Sequence, residues 1–148
     1  MKIQNVKFVA AISLLVAVLA ISGNAQTHGR MIASVPFDFN AKGHLFAAGE
    51  YVIENIDRGT GGRSLMFRTK DGGASRIISM LPLHVNSIAP EGDVVLVFNR
   101  YGSEYFLSEV RNPVESFGAA LPRSRAESNA AKATGAAKRE IIAMKPTK

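Results

Sequence analysis

Val94-Val95-Leu96-Val97-Phe98-Asn99-Arg100-Tyr101-Gly102-Ser103-Glu104-Tyr105-Phe106-Leu107-Ser108-Glu109-Val110 is the stretch that decides the fold. Its first five residues are all apolar, the pattern of a central strand covered on both faces. Asn99 to Ser103 supplies a turn, and the more mixed run Tyr105 to Val110 returns as the second arm of a hairpin. Adjacent residues on a strand point to opposite faces, so Tyr105 and Phe106 cannot both enter one core. One of them packs beneath the C-terminal segment or faces a ligand.

Outward from this hairpin the same pattern recurs. Val35, Phe37 and Phe39 alternate with Pro36, Asp38 and Asn40, a half-buried strand that Pro36 restricts to an edge or a strand start. His44-Leu45-Phe46, Glu50 to Ile56, Ser64 to Lys70 and Ala74 to Leu81 read as further strands. Turns fall at Ala41-Lys42-Gly43, Asp57 to Gly62 and Lys70-Asp71-Gly72-Gly73; Pro82 ends the last of these strands, and Leu83 to Gly92 is a longer connection. The short apolar run Arg76 to Leu83 also admits a helical reading. The expectation is a mostly β fold: an antiparallel β-sandwich or small partly open barrel of six to seven strands, rather than a βαβ fold.

The N-terminus has a different character. Two lysines in Met1 to Lys7 precede fourteen uncharged, mostly apolar residues, Phe8 to Ile21, and then Ser22-Gly23-Asn24-Ala25. This order is that of a secretory signal, residues 1–25, cleaved after Ala25. The run is short for a bilayer span, which takes about 20 apolar residues, so no transmembrane span is expected after cleavage. Residues 26–122 form the β domain and 123–148 a basic, Ala-rich tail. Localisation is therefore expected to be periplasmic or extracellular. The chain has no cysteine, which excludes disulfides, thiolate metal sites and cysteine nucleophiles.

Charge is unevenly divided. The whole chain carries +6, but Ala33 to Pro122 holds eight basic residues against ten acidic ones. Arg123, Arg125, Lys132, Lys138, Arg139, Lys145 and Lys148 face only Glu127 and Glu140 in the last segment. The basic character belongs to the ends, and with export expected, no nucleic-acid partner is. Ser124-Arg125-Ala126-Glu127 matches a helix capping box. Ala126, Ala130, Ala133, Ala137, Ile141 and Met144 then trace one apolar stripe at helical spacing. A stripe of alanines is thin and Gly135 interrupts it at a cost of about 1 kcal/mol, so a frayed, partly disordered helix is favoured over one that docks on a membrane or partner.

Several motifs occur together: Val35-Pro36-Phe37-Asp38-Phe39, Ala48-Gly49-Glu50-Tyr51-Val52-Ile53, Phe98-Asn99-Arg100-Tyr101-Gly102 with Tyr105 to Val110, and Leu121-Pro122-Arg123-Ser124-Arg125. In this combination the chain resembles a family of small exported β-rich proteins common in acidobacterial genomes. The resemblance implies export and a β fold and brings no known activity. The step Ala48-Gly49-Glu50-Tyr51 is also similar to a turn and strand of transthyretin-like and carboxypeptidase-regulatory-like modules, which implies a sandwich.

Candidate chemistry is sparse. Gly59-Thr60-Gly61-Gly62-Arg63-Ser64 suggests an anion cradle, but a strand follows it where a phosphate loop needs a helix N-terminus, so it reads as a hairpin loop. His28, His44 and His84 stand at no ligand-like spacing, no Gly-x-Ser-x-Gly elbow occurs, and Asp38, Glu50, Glu54, Glu104 and Glu109 read as isolated acids on strand faces. No catalytic residue, metal ligand or cofactor is assigned. Arg100, Tyr101, Tyr105 and Phe106 are the candidate ligand or partner contacts, since Tyr beside Arg suits recognition surfaces. The seven basic residues from Arg123 to Lys148 are the candidate anionic-surface contacts. The expected function is a non-catalytic envelope binding or structural module meeting an envelope polymer, an anionic lipid or a protein. The alternative is a small-ligand carrier with a pocket near Tyr101 and Tyr105, and a small hydrolase ranks last.

Overall fold

A computed structural model describes residues 30–56, 63–83, 94–112 and 117–147. The signal segment, His28, the glycine loop 57–62, His84 within the connection 84–93, and Lys148 lie outside the described residues. Ten strands are present: β1 Met31–Val35, β2 Phe39–Ala41, β3 His44–Phe46, β4 Gly49–Asn55, β5 Arg63–Thr69, β6 Ser75–Pro82, β7 Val95–Tyr101, β8 Glu104–Asn112, β9 Phe117–Ala120 and β10 Lys138–Pro146. Among the described residues the one helix, α1, spans Arg125–Thr134 between β9 and β10.

The neighbour order β8-β7-β10-β1-β4-β5-β6-β9 returns to β8, so eight antiparallel strands close into a barrel. Closure leaves the backbone groups of these strands paired around the ring and removes most sheet edges. The hairpin β2–β3 lies outside this ring, with Asn40 of β2 pairing in parallel with Phe106 of β8. The fold is thus mostly β and antiparallel, as expected; of the two architectures left open by the sequence it is the barrel, closed rather than partly open, with more strands than the six to seven read from the sequence.

Inward-facing side chains follow the period of two. Ala33 and Val35, Tyr51 and Ile53, Leu65 and Phe67, Ile78 and Met80, and Leu96 and Phe98 all enter one buried cluster. On β8 the period breaks once: Phe98 stands opposite Leu107 but Val97 opposite Glu109, leaving Ser108 as the extra residue of a β-bulge. The bulge allows Leu107 and Val110 to face the same core, and the Ser108 hydroxyl bonds to the Val97 carbonyl at 3.0 Å. The Ser108 carbonyl in turn accepts the Leu121 N–H at 2.7 Å, where the chain leaves β9.

Aromatic rings fill the barrel. Phe39 stacks on Phe46 with centroids 4.9 Å apart and meets Tyr51 and Phe98 edge to face. Each fully buried ring of this kind contributes about 1.5–3 kcal/mol of transfer free energy. The all-apolar run Val95 to Phe98 is buried on both faces, as its composition requires.

Two sequence expectations are corrected. The strand expected over Val35 to Phe39 is two strands, because Pro36 has no N–H to continue the ladder and the chain breaks there from β1 into β2. Val35 and Phe39 nevertheless both reach the core, at 1% exposure. The helix expected along Ala126 to Met144 stops at Thr134. Gly135 takes φ 87° and its N–H bonds back to Ala131, a C-terminal cap that glycine makes without steric cost. Beyond it Lys138–Pro146 is β10, inserted between β7 and β1. Ile142 and Met144 alternate into the core there, so this segment is barrel wall and neither helix nor disordered tail.

Candidate binding surfaces on the barrel

The strand registers place the ends of β1, β5, β7 and the starts of β4, β6, β8 and β10 at one end of the barrel. The candidate residues of the β7–β8 hairpin sit there and divide between its two faces. Arg100 and Tyr105 are cross-strand partners on one face, with the guanidinium carbon 5.3 Å from the Tyr105 ring centroid. Tyr105 stacks on Phe37 at 3.7 Å, and Phe37 meets Phe98 edge to face at 5.2 Å. This is a cation-capped aromatic column leading into the core. Arg100 Nε also donates to the Gly102 carbonyl at 2.8 Å, which fixes the fork of the side chain over the turn.

Tyr101 and Phe106 lie on the opposite face, 2% and 3% exposed, with Ala130 of α1 over them. Of the adjacent pair, Tyr105 therefore belongs to the core side and Phe106 packs under the helix. A cleft of about 180 Å³ between the β2–β3 hairpin, β8 and α1 is lined by Tyr105 and Phe106 together with Asp38, Leu45 and Glu104. Tyr101 does not line it.

What holds α1 on the barrel is Glu127, a carboxylate only 4% exposed. Half of the capping box forms, with the Ser124 hydroxyl accepting the Glu127 N–H at 3.1 Å. The Glu127 carboxylate turns instead to the barrel, accepting from Asn99 Nδ2 at 2.8 Å and lying 3.5 Å from the Tyr101 hydroxyl. A buried carboxylate is tolerated because it has donors and sits in the first turn of a helix. Nothing in the spacing of residues around Glu127 could reveal this partner, since Asn99 is 28 residues away.

Among the anionic-surface candidates, Arg123, Arg125, Lys132, Lys138, Arg139 and Lys145 are all exposed. Arg123, Arg125 and Lys132 belong to α1 and its approach, and Lys138, Arg139 and Lys145 to β10. Arg139 reaches Glu109 at 3.2 Å, and that carboxylate also holds Arg111. Lys138 stands directly across the ladder from Arg100, so two cations face each other at the barrel end.

A second feature at this end was not legible in the sequence. The upper half of β6 pairs with β5 alone, because β9 reaches only Leu81 and Pro82 on its other side. The β2–β3 hairpin fills the gap toward β8, but β3 forms no ladder with β6. Only side chains cross this seam: Arg76 Nη1 lies 3.1 Å from His44 Nδ1, and Lys42 Nζ reaches the Ser79 carbonyl at 3.5 Å. The seam opens a mouth of about 200 Å³ lined by Phe46, Tyr51, Phe67, Thr69, Ala74 and Arg76. A wider open cleft of about 600 Å³ adjoins it over Tyr51 and Thr69 and carries the Lys70–Glu50 ion pair, 2.8 Å, and Asp71. Burial, and secondarily the charge of Asp38, raises the Tyr51 hydroxyl above the ordinary tyrosine pKa. The Thr69 hydroxyl and the Gly73 N–H hold the Asp71 carboxylate below the usual range.

Among the described residues there is no group of three or more His, Asp or Glu able to hold a metal ion, and no helix is long and apolar enough to cross a membrane. Comparison with known protein families, with characterised proteins and with solved structures returns no match.

Proposed function

We propose that this protein is an exported, non-catalytic binding module of the bacterial envelope whose C-terminal region meets anionic surfaces. One observation carries the reading: six basic side chains of the segment following Pro122 are exposed on elements packed into the barrel, α1 through Glu127 and β10 through two ladders. Charges on a fixed scaffold lose less conformational entropy on contact than charges on a free tail, so the same electrostatic attraction yields more net binding. The signal-like N-terminus and the resemblance to small exported proteins support the compartment, in which lipid headgroups and anionic polymers are the abundant charged surfaces.

The test is sedimentation of the chain with phosphatidylglycerol vesicles and, as a control, phosphatidylcholine vesicles. The test variant carries Arg123→Glu, Arg125→Glu, Lys132→Glu and Lys145→Glu, all exposed positions. The intact chain pellets with the anionic vesicles alone, and salt releases it as the screening length falls from about 10 Å at 0.1 M to about 3 Å at 1 M. The variant stays in the supernatant. Equal behaviour of the two chains, or no pelleting at all, rejects the reading.

A further inference from the structure

We infer that the seam between β3 and β6 is a binding site for a compact aryl carboxylate, a single ring bearing one anionic group. The site is the mouth of about 200 Å³ at the described end of the barrel, and barrel mouths are among the places where small-molecule sites recur. Its size matches one ring, since an apolar cavity of about 150 Å³ holds benzene. Its floor is aromatic: Phe46 meets Tyr51 at 6.0 Å and Phe67 at 5.8 Å, both edge to face. Leu45, 74% exposed, adds an accessible apolar wall beside this buried floor, so a ring entering the mouth leaves water for a hydrocarbon surface.

The rim supplies the anion's partner. Arg76 stands on the same side of β6 as Ile78 and Met80 and lines the mouth, and His44, on the same side of β3 as Phe46, holds it from behind. A guanidinium has only donors, so in the 3.1 Å contact Arg76 donates and His44 Nδ1 accepts. Lys70 is paired with Glu50, and Arg139 shares Glu109 with Arg111, whereas among the described residues the polar partner of Arg76 is this imidazole and no carboxylate. A guanidinium without a carboxylate partner at the lip of an aromatic pocket is complementary to a carboxylate whose ring lies inside. The acids Glu50 and Asp71 line the adjoining cleft and not this mouth, whose charged lining residue is Arg76.

Titration calorimetry of the full chain with benzoate tests this, with acetate and benzyl alcohol as controls that keep only the charge or only the ring. Two variants at exposed positions bracket the site: Arg76→Met keeps the apolar stem and removes the charge, and Ala74→Phe obstructs the mouth without entering the core. Benzoate binds with one-to-one stoichiometry, and acetate and benzyl alcohol bind at least about tenfold more weakly. Arg76→Met weakens benzoate by about tenfold or more, the loss of one charge-assisted hydrogen bond. Ala74→Phe abolishes binding. Failure of benzoate to bind the intact chain overturns the proposal. So does acetate binding as well as benzoate, which marks surface charge alone, or undiminished binding by both variants, which puts the ligand elsewhere.

Discussion

Asn99 Nδ2 donates to Glu127 Oε1 at 2.8 Å, joining the middle of the β7 strand to the first turn of α1 across 28 residues. With the Tyr101 hydroxyl at 3.5 Å, the bond fastens the helix to the barrel wall, because it satisfies a carboxylate that the helix buries. Glu127→Ala leaves the half-buried Asn99 amide and the buried Tyr101 hydroxyl without this acceptor and empties the space beneath α1. A destabilisation of about 1–3 kcal/mol is expected, measured by urea denaturation. Lys132→Ala, on the exposed side of the same helix, should stay within about 0.5 kcal/mol.

A chain stopped after Gly135 lacks β10. Its removal opens two ladders, exposes the facing edges of β1 and β7, and takes Ile142 and Met144 out of the core. The expected outcome is loss of near-ultraviolet circular dichroism and elution as aggregate, since two unpaired edges in one barrel are templates for association. A folded monomer from this truncation would show that the barrel closes without its last strand.

Phe98 is completely buried and touches both Phe37 and Phe39 edge to face. Phe98→Ala removes the ring on which both depend and should cost about 3–5 kcal/mol, within the range for aromatic truncations in a core. Tyr105→Ala, at the outer end of the same column, should cost less, because Tyr105 is only partly buried. Thermal or urea unfolding of the two variants in parallel checks the order.

Tyr51 sets an alkaline limit. Its hydroxyl is raised above the ordinary tyrosine value by burial and by Asp38, so the folded state disfavours the phenolate. The associated stability is fully present below about pH 10, where an unfolded tyrosine ionises, and is lost as pH rises through the higher folded value. Tyr51→Phe should flatten this alkaline decline. The same substitution costs about 1 kcal/mol at neutral pH by removing the hydroxyl's bond to the Ala47 carbonyl. Denaturant titrations from pH 8 upward on both chains separate the two effects.

Local patterns alone determined a large part of this molecule. The alternation in β4 and β5, the turn at Lys70 to Gly73, the apolar run of β7 and the Ser124 cap of α1 can each be read from a few neighbouring residues, because strand pleat, turn geometry and capping are short-range physics. The opposed directions of Tyr105 and Phe106 were legible for the same reason. Only the tertiary structure decided what lies beside what. Lys138–Pro146 carries a helical stripe and a strand alternation at once, and the empty position between β7 and β1 selects the strand, since ladder bonds on both sides outweigh the weak preference of an alanine-rich helix. The Asn99–Glu127 bond, the Ser108 bulge and the meeting of His44 with Arg76 across 32 residues depend on the closure of the barrel. Contacts between distant residues have no signature in local spacing, and the surfaces from which function is argued here are built from such contacts.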